Sequence, residues 1–188
     1  MSRTWELWGN VVMAGILAIP LAALAVAYVA RGRARLGHPA PVRTALADVG
    51  VPVGTLPWVW MILTPSDRRS TISPVPLREL AELASASWQT VSVQVGGNLL
   101  VFAALGALLP VRSTRFTSLW RIALIAGLAS VTVETLQYVL RLGRVSSVDD
   151  VLVNTAGAVL AAAATRRWWF RPTHNEAIGY VKAGSQPS

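Results

Sequence analysis

From Gly9 to Ala30 the chain has no charged residue over 22 positions. A bilayer's hydrocarbon core is crossed by about 20 helical residues, so this run is long enough to span one. A cleavable signal peptide is the competing reading, because Ala25-Val26-Ala27 has the small-residue look of a cleavage site. Two features weigh against it. The run exceeds a signal core of about 7–15 residues. Its basic flank follows it (Arg31, Arg33, Arg35), with only Arg3 before it. The run is therefore read as an uncleaved span.

Four more apolar runs follow at 45–64, 91–109, 122–140 and 151–165. Pro52, Gly54 and Pro57 suggest a kink in the second, which membrane helices tolerate when neighbours re-satisfy the backbone. Trp58 and Trp60 mark its far end, where interfacial aromatics are common. The fifth is Ala-rich and slightly short, and Trp168, Trp169 and Phe170 extend it into an aromatic belt beside Arg166, Arg167 and Arg171. The predicted fold is an all-α membrane protein: one transmembrane domain over 1–170, a bundle of about five helices, and a flexible cytoplasmic tail at 171–188.

Composition agrees. Of the 188 residues, 53% are hydrophobic and 14% charged, against about 25% charged in a soluble domain. There is no Cys, which excludes disulfides, thiol nucleophiles and iron–sulfur ligation. The net charge of +8 comes from 16 Arg and one Lys against nine acids. These residues lie in short stretches between apolar runs, without the aromatic-interleaved stripe of a nucleic-acid binder. They read as a topology signal, and no nucleic-acid partner is expected. With the N-terminus outside, 11 basic residues fall on the inner side and six on the outer. That bias predicts N-out, C-in in the plasma membrane of a bacterium.

The outer segment 65–90 is broken by Pro74 and Pro76. Leu77, Leu80, Leu83, Ala84 and Trp88 then recur at helical spacing, opposite Arg78, Glu79 and Glu82. It reads as a short amphipathic helix on the outer surface, and equally as a connecting loop with one helical turn.

Polar side chains inside spans carry the functional signal, since an acid at the bilayer centre costs on the order of 2.5–3.5 kcal/mol. Glu134 lies about 9 Å, and Asn98 about 10 Å, from the outer ends of their spans at 1.5 Å per residue. Asp150 and Asn154 share the first turns of the fifth span, and Gln137 shares a face with Glu134. Arg141, Arg144 and Asp149 sit beside them, in the connection between spans four and five. Gly96, Gly97, Gly106, Gly127, Ser130, Gly157 and Ala161 are small enough to bring spans three, four and five together. The polar residues would then meet in a shallow cleft. A plain ion-pair cluster of Arg141 or Arg144 with Glu134, Asp149 or Asp150 is the structural alternative.

The order Asn98-Leu99-Leu100-Val101-Phe102 with Gly106 and Pro110, Ser130, Glu134-Thr135-Leu136-Gln137, Arg144, Asp149-Asp150-Val151, and Asn154-Thr155-Ala156-Gly157 resembles the VanZ-like family of small bacterial membrane proteins. The resemblance covers roughly residues 60–165. It implies an integral membrane protein with a link to resistance against teicoplanin-type glycopeptides.

The first functional reading is a non-enzymatic membrane factor. It would bind a membrane lipid, a lipid-linked cell-wall precursor or a lipoglycopeptide at the outer leaflet, through Asn98, Glu134, Gln137, Arg144, Asp149, Asp150 and Asn154. Arg144 would engage an anionic group such as phosphate. No cofactor, metal or catalytic residue is assigned. The second reading is an enzyme on a lipid-linked substrate, with Glu134, Asp149 and Asp150 as oxygen donors to Mg²⁺ or as general base; no His joins them, and no phosphatase or glycosyltransferase signature is evident. The third is a small transporter with Glu134 as proton-coupling acid, for which five spans are few unless the chain forms a homo-oligomer.

Overall fold

The structure is a computed structural model that describes residues 3–67 and 69–169, with the backbone alone for 3–12. The expected tail at 171–188, Phe170 and Arg68 lie outside the described residues.

The chain forms α1 (Arg3–Arg35), α2 (Pro41–Leu63), β1 (Thr71–Ser73), α3 (Arg78–Leu83), α4 (Trp88–Val101), α5 (Ala103–Arg112), α6 (Leu119–Val139), β2 (Val145–Ser147) and α7 (Val148–Ala164). Four helical stretches are long and apolar enough to cross a membrane: Met13–Arg35, Pro41–Leu63, Trp88–Arg112 and Leu119–Val139. Their apolar side chains, among them Leu17, Leu21, Leu24, Leu56 and Leu128, stand exposed on the outside of the bundle. Such a surface is stable against hydrocarbon and not against water. The fifth expected span is α7, a helix of 17 residues. It is the centre of the bundle, in contact with α4, α5 and α6, while α1 packs on α2 at the periphery.

The proline-bearing α2 runs unbroken with Pro52 and Pro57 inside it. The third expected span is the one that is interrupted. Phe102 (φ −114°, ψ 14°) separates α4 from α5. Its side chain is buried in the core with Val101, Ile122, Ala126 and Ala158. Two backbone contacts with α7 straddle this break. A Cβ on Gly157 would lie 2.1 Å from the Leu99 carbonyl oxygen, and one on Gly106 would lie 2.0 Å from that of Ala158. Only glycine permits main chains to touch this way, which is how small residues assemble helices in lipid.

At one end of the bundle Asp48 pairs with both Arg33 and Arg112, tying α2 to α1 and to the end of α5. Arg43 donates to the carbonyls of Trp168 and Trp169. Arg167 and Arg166 lie over the rings of Trp168 and Trp169, at 5.2 and 5.6 Å. The expected belt of Trp and Arg is thus a stacked cluster.

At the other end, the chain after α2 meets the chain after α6. β1 and β2 pair in parallel, Thr71 with Val145 and Ser73 with Ser147. The Ser66 N–H donates to the Leu142 carbonyl (2.9 Å) and the Gly143 N–H to Ser70 Oγ (2.9 Å). Gly143, at φ +69°, makes the turn that allows this. The strands were not expected, because three residues are too few to show an alternating pattern.

The amphipathic helix expected after Pro76 is shorter than its sequence pattern. α3 covers only Arg78–Leu83. Leu77 is outside it with a left-handed backbone (φ 64°), and Trp88 begins α4. Leu77, Leu80, Leu83 and Trp88 therefore do not share one face. The physical reason is Asp149, described next.

Candidate functional site

A cavity of about 400 Å³ opens at the β1–β2 end of the bundle. Its walls differ in character. α2 contributes only Trp58, Met61 and Ile62. α6, α7 and the segment between them contribute Glu134, Gln137, Arg144 and Asp150. α4 runs between the two walls and presents both kinds, Val93 and Val101 beside Gln94 and Asn98. Ser66, Arg69 and Glu79 complete the lining.

The polar wall is held by its own hydrogen bonds. Glu134 is 8% exposed and Gln137 3%. One Glu134 carboxyl oxygen accepts from Gln137 Nε2 (3.4 Å) and the other from the Ser147 N–H (3.1 Å). The Glu134 carbonyl accepts from Ser146 Oγ at 2.9 Å. One residue, through its carboxyl and its main-chain carbonyl, thus holds β2 and the start of α7 against α6. Asn98 Nδ2 donates to Asp150 Oδ1, joining α4 to α7 across the cavity wall. Arg144 donates to the carbonyls of Met61 (3.1 Å) and Thr64 (3.3 Å), which lack helical partners at the end of α2. Its guanidinium is thereby fixed at the rim.

Five of the seven residues expected to bind a ligand line this cavity: Asn98, Glu134, Gln137, Arg144 and Asp150. Asp149 and Asn154 do not. Asp149 is 2% exposed, and its carboxyl accepts from the N–H groups of Leu77 (2.5 Å) and Leu80 (3.1 Å). The first amides of a helix have no intrahelical acceptor, and a carboxyl group from α7 supplies one for α3. That is why Leu77 leaves the helix: its N–H turns to Asp149. Asn154 is 1% exposed and faces α6, donating to Ser130 Oγ at 2.8 Å. Both residues organise the fold around the cavity rather than forming its wall. Arg141, the alternative ion-pair donor, has a left-handed backbone just after α6 and stays exposed.

Several lining residues escaped the sequence reading, Gln94, Trp58, Glu79 and Arg69 among them. Gln94 is four residues before Asn98, hence on the same helical face, and that spacing was a usable signal. By its sequence Trp58 is an interfacial aromatic, Glu79 falls on the polar side of an amphipathic helix, and Arg69 is one basic residue of the outer segment 65–90. Glu79 and Arg69 reach the cavity because the segment 64–83 folds back over it, which no local pattern encodes.

Among the described residues, no three His, Asp or Glu side chains converge where they could hold a metal ion. Of the oxygen donors named in the enzyme reading, Glu134 and Asp150 line the cavity and Asp149 is turned to α3.

No curated protein and no solved structure matches the chain. A family model does, that of VanZ/LLP1, over residues 53–170. The matched stretch contains every residue that lines the cavity. It also contains the glycines that bring α4 and α5 onto α7. The family match takes in the site-bearing segment and the apolar helices Trp88–Arg112 and Leu119–Val139, and the chain is a membrane protein that belongs to the VanZ/LLP1 family.

Proposed function

We propose that this protein is a non-enzymatic factor of the bacterial plasma membrane that binds one membrane-anchored amphiphile at the outer leaflet. The ligand class is a lipid-linked envelope component or a lipoglycopeptide-type antibiotic, the latter in keeping with a role in teicoplanin-type resistance. The observation that carries this reading is the two-sided cavity. Its α2 wall is apolar, and its α6–α7 wall offers acid, amide and guanidinium groups. A wholly polar solute leaves the first wall unused, and a hydrocarbon sets apolar surface against the polar groups of the second. A molecule with both a headgroup and a chain satisfies the two together. In this reading α7 is the fifth span, the N-terminus is outside, and the cavity faces the exterior.

The topology is tested by labelling. The chain has no Cys, so single cysteines report without background. Arg141→Cys is expected to react with a membrane-impermeant maleimide on intact cells, and Arg115→Cys only after permeabilisation. The reverse pattern puts the cavity on the cytoplasmic face and ends the outer-leaflet reading.

Binding is tested by native mass spectrometry of protein in nanodiscs made from the host's total polar lipids. The wild type is expected to retain a lipid-linked species. Glu134→Ala and Asp150→Ala are expected to weaken retention about tenfold, or roughly 1.4 kcal/mol, at normal membrane abundance. Equal retention by all three removes these residues from the ligand's surroundings. In a strain whose glycopeptide susceptibility changes on deletion, the same variants are expected to behave as the deletion.

A further inference from the structure

A second cavity of about 450 Å³ adjoins the first. It lies over β1 and α3, lined by polar groups that include Thr71, Ser73 and Arg78. Glu79, Gln94 and Val145 line both, so the two compartments share a wall. The acids around them differ in what the protein already asks of them. Both oxygens of Asp149 accept backbone amides, and both oxygens of Glu134 accept internal donors. Asp150 is joined to Asn98. Glu79 accepts no hydrogen bond and forms no ion pair among the described residues, and its Oε1 is buried without a partner. Asp149 holds the N–H groups of Leu77 and Leu80, the residues that flank Arg78 and Glu79, so Glu79 is carried on an anchored turn. A buried acceptor without a donor is unfavourable. The terminal torsion of a Glu carboxyl is soft, so either oxygen can turn to a donor arriving in either compartment.

We propose that Glu79 is a ligand-contacting residue at the junction of two contiguous subsites, and that the headgroup it receives is an extended one bearing hydroxyl or amine donors, as a sugar or amino sugar does. This rests on the reading of the first cavity as a headgroup site. An unsubstituted phosphodiester has no donor to give Glu79 and fills one compartment at most.

The test uses full-length protein in nanodiscs and three single-chain probes: dodecyl maltoside, dodecyl glucoside and the phosphodiester dodecyl methyl phosphate. Wild-type protein is expected to bind the maltoside at least about fivefold more tightly than the glucoside, and the phosphate most weakly. Glu79→Met, which removes the acceptor, is expected to erase the preference for the maltoside, while Glu79→Gln, which keeps one carbonyl oxygen, restores part of it. Thermal unfolding without probe checks that both variants fold. If one is unstable, Gln94→Leu on the shared wall takes its place and is expected to narrow the preference likewise. Tightest binding of the phosphate, or a preference for the maltoside that survives Glu79→Met, overturns the proposal but leaves the first cavity as a headgroup site. Failure of wild-type protein to bind any of the three overturns both.

Discussion

Gly157→Ala is expected to destabilise the folded bundle by about 3 kcal/mol, the top of the usual overpacking range of about 1–3 kcal/mol. The added methyl would lie 2.1 Å from the Leu99 carbonyl oxygen and 2.7 Å from the Leu99 Cα. Those are backbone atoms, so no side-chain rotation relieves the clash, and α4 must move off α7. Since α7 touches α4, α5 and α6, displacement there loosens all three. Asn98 and Asp150, which bridge α4 and α7, would separate too. Gly106→Ala is expected to act alike through Ala158. Gly15→Ala in α1, where an added Cβ meets nothing within 4 Å, is the control and is expected not to destabilise. Thermal unfolding followed by size-exclusion chromatography measures all three. Equal stability of Gly157→Ala and Gly15→Ala would falsify the backbone contact.

Asp149→Ala is expected to release α3 while leaving the helical bundle folded. The substitution leaves two amides, Leu77 and Leu80, without their acceptor. A fully buried orphaned donor costs about 1–3 kcal/mol, and these two, being partly buried, fall at or below the low end. A six-residue helix cannot hold itself without tertiary support. Hydrogen exchange of residues 77–83 is expected to quicken at least roughly tenfold, equivalent to about 1.4 kcal/mol of lost local protection. The start of α7 is expected to keep its protection, because Ser147 Oγ still caps the amide at position 149. Asp149→Asn retains one carbonyl oxygen and is expected to fall between. Unchanged exchange over 77–83 in the alanine variant would mean that α3 is held by something else. Because Glu79 rides on this helix, loss of Asp149 is also expected to reduce ligand retention, through positioning rather than contact.

How far the site was legible depends on which residues are considered. Asn98, Glu134, Gln137 and Asp150 could be found in the chain because hydrocarbon penalises them: a polar residue kept in an apolar run needs a partner or a task. Asp149 met the same criterion and has a different task, and no spacing rule distinguishes an acid that faces a cavity from one that captures a neighbouring helix. Glu79 and Arg69 lie in polar surroundings where a charged residue carries no surprise. Their importance comes from the fold-back of 64–83 over the cavity mouth, through bonds from Ser66 and Ser70 to the chain after α6. The break at Phe102 was equally silent. No proline or glycine stands at that position, and the two α7 contacts on either side of it exist only after folding.

Composition and periodicity along the chain determined that this protein lives in a bilayer and roughly where its apolar helices begin and end; of the small residues they offered for helix approach, Gly106 and Gly157 make it while Gly96 and Gly97 face open space. Residence in the bilayer and helix extent are set by transfer of each side chain from water to hydrocarbon, which depends on local sequence. The tertiary structure decided that the 17-residue α7 is the centre, that one acid ties down α3 while its neighbour lines a cavity, and that Glu79 stands between two adjoining compartments. Those properties arise from contacts between residues dozens of positions apart, and their geometry exists only once glycine-to-backbone packing has brought the helices together.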